Sequence, residues 1–388
     1  MKFGQTFRLP RLMLVLVVSA PSNLSGPGIA RGDDADAPQD VSRQVIRLVG
    51  SSGLCASFSS DGTRILTAGN DEARVWDAKT FKPVIEPIRH KDIHFAALSP
   101  DGKEVVTCGV GSARLWDAKT GKELVPPLKH EVPVNEDGVV SMAAFSPDGS
   151  RLTTACGDGK VRIWDAGTGR ELVEAIDIRR GAVLSVAFSP DGTKILSVTD
   201  GTSQLWDAST GKLFAPLVHG RDWTHCAAFS RDGKRVATGH SDGIVVVWDA
   251  QTGRQLAEAR KDVDTIVSIA FNPEGTRLVT ADRRHVRLWD ASTAKPIAPP
   301  LGDDVTDWKK ALFSPDGKTV FGGGANGIAT AVLWEASTGK ELTQLSHCQS
   351  LSAAAFSPNG NMIAMGCYWE GYTCVWSGAS NRAEGSKR

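Results

Sequence analysis

Eight histidines, His90, His94, His130, His219, His225, His240, His285 and His347, are the first side chains to weigh for chemistry, because imidazole serves both as a metal ligand and as a general base. Their spacing builds no site. The chain has no His-Glu-x-x-His segment, no Cys-x-x-Cys pair, no nucleophile elbow and no glycine-rich strand-to-helix turn to cradle phosphate. Asp303, Asp304 and Asp307 offer oxygens to a hard cation, but a calcium cage takes about six to eight ligands, more than one short run converges. Gly322-Gly323-Gly324 reads as backbone packing between strands. The expectation is no catalytic residue, no metal and no cofactor. What stands out is aromatic: Trp223 and Trp308, each preceded by Asp, and Tyr368-Trp369-Glu370-Gly371-Tyr372, which holds both tyrosines of the chain. Trp and Tyr beside charge are residue types that anchor interfaces.

The elements that must position these residues repeat. Eight times an apolar strand ends in a four-residue turn, from Ser59-Ser60-Asp61-Gly62 through Ser146-Pro147-Asp148-Gly149 to Ser357-Pro358-Asn359-Gly360. Pro presets φ, Asp bonds its own backbone, and Gly takes the positive φ that closes a hairpin. A later strand in each repeat closes on tryptophan, at Trp76, Trp116, Trp164, Trp206, Trp248, Trp289, Trp334 and Trp376. The spacing of roughly 40 to 48 residues is that of a four-stranded propeller blade. Strands such as Val183-Leu184-Ser185-Val186-Ala187-Phe188 are small or apolar on both faces, as expected of a sheet sandwiched between two others. Trp223, Trp308 and Trp369 lie outside the closing position.

With these residues in place, the chain resembles the WD-repeat (WD40) β-propeller family over roughly residues 44 to 377. Six of the closing tryptophans are followed by Asp; Trp334 is followed by Glu335 and Trp376 by Ser377. The resemblance implies an all-β fold and a bracing set of His, Ser or Thr, Asp and Trp in each blade. Two repeats match it in full, with His130, Thr154, Asp158 and Trp164 in the third and His219, Thr238, Asp242 and Trp248 in the fifth. His90 and His347 hold the His position without a well-spaced Asp, and Asp200 has the Asp spacing where Arg179 and Arg180 replace the His.

Val45-Ile46-Arg47-Leu48-Val49 precedes the first innermost strand, while the last repeat stops at its Trp376 strand. Eight four-stranded antiparallel blades, with this N-terminal strand completing the last, remove an exposed sheet edge; seven blades with a stray repeat is the alternative. Residues 1–20 read as a signal peptide, with Lys2, Arg8 and Arg11 around an apolar run too short to span a bilayer. Cleavage falls after Ala20 or as late as Ala30. Residues 21–43 and 378–388 read as disordered, and the propeller occupies 44–377. Export to the periplasm or medium, with no stable membrane span afterwards, is expected. Lys+Arg and Asp+Glu balance at 44 each, which gives no basic footprint for nucleic acid. Of seven cysteines, Cys367 and Cys374 are the one plausible bridge, placed opposite each other if Glu370-Gly371 makes a two-residue turn.

The expected function is a non-catalytic scaffold that binds another protein or a peptide outside the cytoplasm. The resemblance implies that entries to the innermost strands and turns between second and third strands share one ring face. Trp223, Trp308, Tyr368, Trp369 and Tyr372 are the expected anchors there, with Arg179, Arg180, Arg221, Arg283, Arg284 and His240 nearby and an acidic rim from residues 131–137. The alternatives are a propeller enzyme of lactonase or hydrolase type, for which the innermost strands supply only His94 and His225, and a carbohydrate-binding module.

Overall fold

Each repeat turn closes by the same local chemistry. In the third, Ser146 Oγ donates to Asp148 Oδ1 at 2.5 Å and accepts the Arg151 N–H at 2.9 Å, while Asp148 Oδ1 accepts the Ser150 N–H at 3.0 Å. Gly149 sits at φ 74°, a conformation a side chain would strain. The turn is therefore held by residues within five positions of one another, and any one repeat can form it without the rest.

The computed structural model describes residues 45–378 except 50–52, 131–137, 179–181, 200, 220–222, 261–263, 303–305, 326–328, 346–350 and 368–370. The leader, the linker and almost all of the tail expected above lie outside the described residues. The described chain forms eight antiparallel sheets. Their innermost strands are Cys55–Phe58, Phe95–Leu98, Val140–Phe145, Val183–Phe188, Thr224–Phe229, Ser268–Phe271, Asp307–Phe313 and Leu351–Phe356, taken below as blades one to eight. Blade one runs its second and third strands as one bent stretch, Arg64–Asp77, turning at Asn70 with φ 54°. In blade six the fourth strand shrinks to the bridges Val286 to Leu301 and Trp289 to Pro296. Among the described residues no helix is long and apolar enough to cross a membrane.

Val45–Val49 pairs with Tyr372–Ser377 in register, Val45 opposite Trp376 and Val49 opposite Tyr372. Leu48, Ala56, Ile65, Ala353, Ala364 and Val375 form one cluster across the first and last blades. The ring thus closes with eight blades, and the seven-blade alternative is overturned.

Two expectations are corrected. The last blade's hairpin sets Cys367 opposite Tyr372 and Cys374 opposite Met365, so the two sulfurs are out of register. Cys367 is disulfide-bonded, whereas Cys374 carries no disulfide and is buried. The glycine run lies inside the strand Thr319–Ala325 rather than between strands. A Cβ on Gly322 would come within 2.6 Å of the Trp334 ring, so the missing side chain there is space for tryptophan.

Candidate binding face and the braces beneath it

Because each innermost strand ends at its Ser-Pro-Asp-Gly turn, the opposite end of the ring carries the strand entries and the hairpins between second and third strands. On this entry face Trp223, just before Thr224–Phe229, is 53% exposed. Its N–H donates to Ser241 Oγ at 3.3 Å, and its carbonyl accepts the Ser241 N–H at 2.9 Å. These bonds clamp the tryptophan backbone to the neighbouring hairpin while the indole stays in water. Val218, just past the outer strand Leu213–Leu217 of blade four, is 55% exposed at the start of the connection that leads to Trp223.

Tyr372 opens the third strand of blade eight on this face, half-buried, with the Arg47 guanidinium 5.1 Å from its ring centroid. Blades five and eight are not neighbours, so Trp223 and Tyr372 share a face without sharing a patch. Tyr368, Trp369, Arg179, Arg180, Arg221 and residues 131–137 lie outside the described residues. Arg283 and Arg284 are exposed, and Arg284 Nε stands 3.8 Å from Asp264.

Trp308 is not an anchor. It is 1% exposed and packs edge-to-face on Trp334 with centroids 5.4 Å apart. Gly302 makes room for it, since a Cβ there would reach the indole at 2.4 Å. The Asp-Trp dipeptide that looked like the counterpart of Trp223 sits one position later in its repeat: Trp308 stands opposite Gly324 as Thr224 stands opposite His240, so its ring takes the position that Thr224 buries in blade five.

Beneath the face lie the braces. Trp164 Nε1 donates to Thr154 Oγ1 at 2.9 Å, and Thr154 meets His130 Nε2 at 3.1 Å. His130 does not reach Asp158 directly: one guanidinium nitrogen of Arg162 spans the gap, 2.8 Å from His130 Nδ1 and 2.9 Å from Asp158 Oδ2. An arginine can only donate, so Nδ1 accepts and the ring proton sits on Nε2. His130, Cys156 and Asp158 offer three metal-ligand types within 4.8 Å of one another. The Arg162 cation already bridges two of the three, His130 and Asp158, and a metal ion would have to displace it.

In blade five the histidine is a different one. Thr238 Oγ1 bonds Trp248 Nε1 and His240 Nε2, both at 2.9 Å, and His240 is fully buried. His219 instead packs on the His240 ring at 5.4 Å, with Glu258 3.6 Å from its Nε2, and Asp242 meets Arg260 at 3.2 Å. His240, expected near the surface, is therefore core, and His219 is displaced from the brace. The Trp-to-hydroxyl bond is more general than the full set: Trp76, Trp116, Trp206 and Trp289 make it to Thr67, Thr107, Ser197 and Thr280, each at 2.9 Å. In blade two His90 Nδ1 joins Thr107 at 2.8 Å.

Burial first, and then Arg162, pushes His130 down to about 3 from the ordinary 6.5; burial and Arg114 push His90 down to about 4. Both rings stay neutral in the fold while the unfolded chain takes up protons below about 6.5. Their contribution to stability is complete above that pH and is lost as pH falls towards 4 and then 3. Asp207 and Asp290, held near 2 first by hydroxyl donors, act only at lower pH. The melting temperature is expected to fall steadily from pH 6.5 to 4, and a flat profile over that interval would contradict the neutral-histidine assignment.

One titratable residue escaped the pattern reading. Lys310 lies on an innermost strand, 4% exposed, its amine lowered to about 8 by burial. Cys226 and Cys55, which interact with it electrostatically, are pushed up by burial to about 12 and 11. The signal was present: four residues before each turn, seven repeats carry Cys55, Phe95, Met142, Ser185, Cys226, Ser268 and Ala353, and only this one carries charge.

A family model described as WD domain, G-beta repeat matches residues 43–77, 127–165, 176–207 and 339–377. Another, described as nucleolar protein 10-like, N-terminal domain, matches residues 219–309. No curated protein matches. Among solved structures the chain is similar to the crystal structure of Ika8, a computationally designed protein, with TM-score 0.71 and 23% identity over 85% of this chain and 99% of that one. That likeness shows the fold.

Proposed function

Since this chain is a WD-repeat β-propeller, a fold whose members generally bind other proteins, we propose that it is a non-catalytic, exported scaffold that docks a protein or peptide on its entry face. The observation that carries this reading is the exposed indole of Trp223, with its backbone clamped to Ser241. An ordered backbone under an exposed aromatic lowers the entropy lost on binding, and Trp is the residue type that most often dominates interface energetics. The blade repeat does not require a large aromatic at this position, so packing does not account for it.

Export is supported by the basic start and apolar run of residues 1–20. The match to the nucleolar-protein-like model supports the propeller reading; it spans one part of the ring and is not taken as a cellular address.

Trp223→Ala should leave the melting temperature within about a degree, because an exposed side chain changes stability by roughly 0.5 kcal/mol or less. The same variant should lose specific proteins captured by wild type from envelope and extracellular fractions. Identical capture by both forms would reject the docking face. Partners found in cytosol alone would reject export.

A further inference from the structure

An arginine opens the second strand of four blades and reaches across to the next blade. Arg64 donates to the Gly102 carbonyl at 3.1 Å, and Arg235 to the Gly275 carbonyl at 3.3 Å. Arg151 donates to the carbonyls of Gly192 and Ala208 at 2.6 and 3.1 Å, and Arg277 to that of Ala336 at 2.8 Å. Each guanidinium is held by the turn glycine of the adjoining blade, by the alanine that follows its Trp-Asp or Trp-Glu pair, or, for Arg151, by both. Lys194, Thr319 and Met362 hold this place in three other blades.

Blade two inverts the charge. Its residue is Glu104, and the carbonyls that an arginine would meet belong to Gly149 and Ala166 of blade three. There the structure has a cavity of about 350 Å³ whose lining includes Glu104, Gly149 and Ala166, with Asp101, Asp148 and Asp165 around it. Glu104 Oε2 is shut off from water and receives no hydrogen bond. Burial, followed by Asp101 and Asp117, raises the Glu104 carboxyl above its ordinary range. The surrounding aspartates are already engaged. Asp101 takes Ser99 Oγ and the Lys103 N–H, Asp148 takes Ser146 and Ser150, and Asp165 takes Thr168.

We propose that this cavity accepts an arginine side chain presented by a partner protein, its guanidinium filling the place that an internal arginine fills in four other blades. A planar guanidinium suits two nearby carbonyls, the pair that Arg151 meets in blade four, and here the Glu104 carboxylate adds a charged acceptor that the internal arginines lack. A calcium ion would need about six to eight oxygens, and the turns have already claimed the aspartates. Asp101, Asp148, Ser150 and Gly167 are exposed at the rim, so a side chain can enter from solvent. The cavity lies on the turn face, opposite Trp223, and is independent of the docking reading above.

The test is an NMR titration of isotope-labelled full-length protein with N-acetyl-L-arginine amide, alongside N-acetyl-L-lysine amide and calcium chloride. Saturable shifts at residues 99–104, 148–150 and 165–167 are expected with the arginine probe, and the lysine probe should bind more weakly. Glu104→Gln should weaken binding by about tenfold or more, the loss expected for a charge-assisted hydrogen bond. Glu104→Arg should abolish binding and raise the melting temperature by supplying the missing strap from within. Trp223→Ala should leave the arginine affinity unchanged, which separates failure of this site from failure of the entry face. Equal affinity in Glu104→Gln, saturation by calcium but not by the arginine probe, or no saturable shift in the folded wild type would overturn the proposal.

Discussion

Removing residues 44–50 is expected to lower the melting temperature by roughly 10 °C or more and to make the protein aggregate. Val45–Val49 completes the last blade in register with Tyr372–Trp376, and Leu48, 1% exposed, packs where the first and last blades meet. Losing a buried leucine costs about 2–5 kcal/mol, and each lost ladder hydrogen bond adds about 1 kcal/mol, so a total near 5 kcal/mol is reasonable. A domain of this size shifts by about 2–4 °C per kcal/mol. The truncation also turns Tyr372–Ser377 into an open edge, whose unpaired N–H and C=O groups template association. Differential scanning calorimetry with light scattering reads both effects. An unchanged melting temperature with no scattering would show that the strand is not what closes the ring.

Asp282→Ala carries an expected loss of about 3–5 kcal/mol, from charge rather than volume. Asp282 and Arg287 form an ion pair with both side chains buried in blade six, and Asp282 Oδ1 also accepts the N–H groups of Arg284 and His285 at 2.8 and 2.7 Å. Removing the carboxylate leaves a buried guanidinium without its counter-charge. The double replacement Asp282→Ala with Arg287→Met should recover part of the loss, because no lone charge remains inside. Urea unfolding of both variants decides the matter. A single variant within about 1 kcal/mol of wild type, or a double variant no more stable than the single, would show that the pair does not carry this energy.

The same contrast runs through the candidate sites. Trp223 was legible as an exposed aromatic because it breaks a repeat that leaves no core position for it. Trp308 has the same dipeptide but falls six residues before its turn where Trp223 falls seven before, and that step of one puts its ring in the core, where Gly302 leaves room for it. His219 was the better match in spacing, but His240, two residues beyond Thr238, reaches the hydroxyl instead. The Cys367–Cys374 bridge failed because the hairpin pairs Cys367 with Tyr372, two positions short of Cys374. Arg162 was invisible as a brace member, since a charged residue before Trp-Asp ordinarily reads as solvated surface.

What the amino-acid order determined by itself is the unit and its number: hairpin turns held within five residues, a tryptophan closing each blade, and a spare N-terminal strand to seal the eighth. These follow from interactions short in sequence and repeated, so each copy reports on the others. Only the tertiary structure decided which histidine meets which threonine, which tryptophan is wet, and that Glu104 faces a cavity instead of an arginine. Those outcomes depend on how side chains pack within and between blades, whether two residues apart like Thr238 and His240 or on separate blades, and there packing of neighbours, not local propensity, sets the energy.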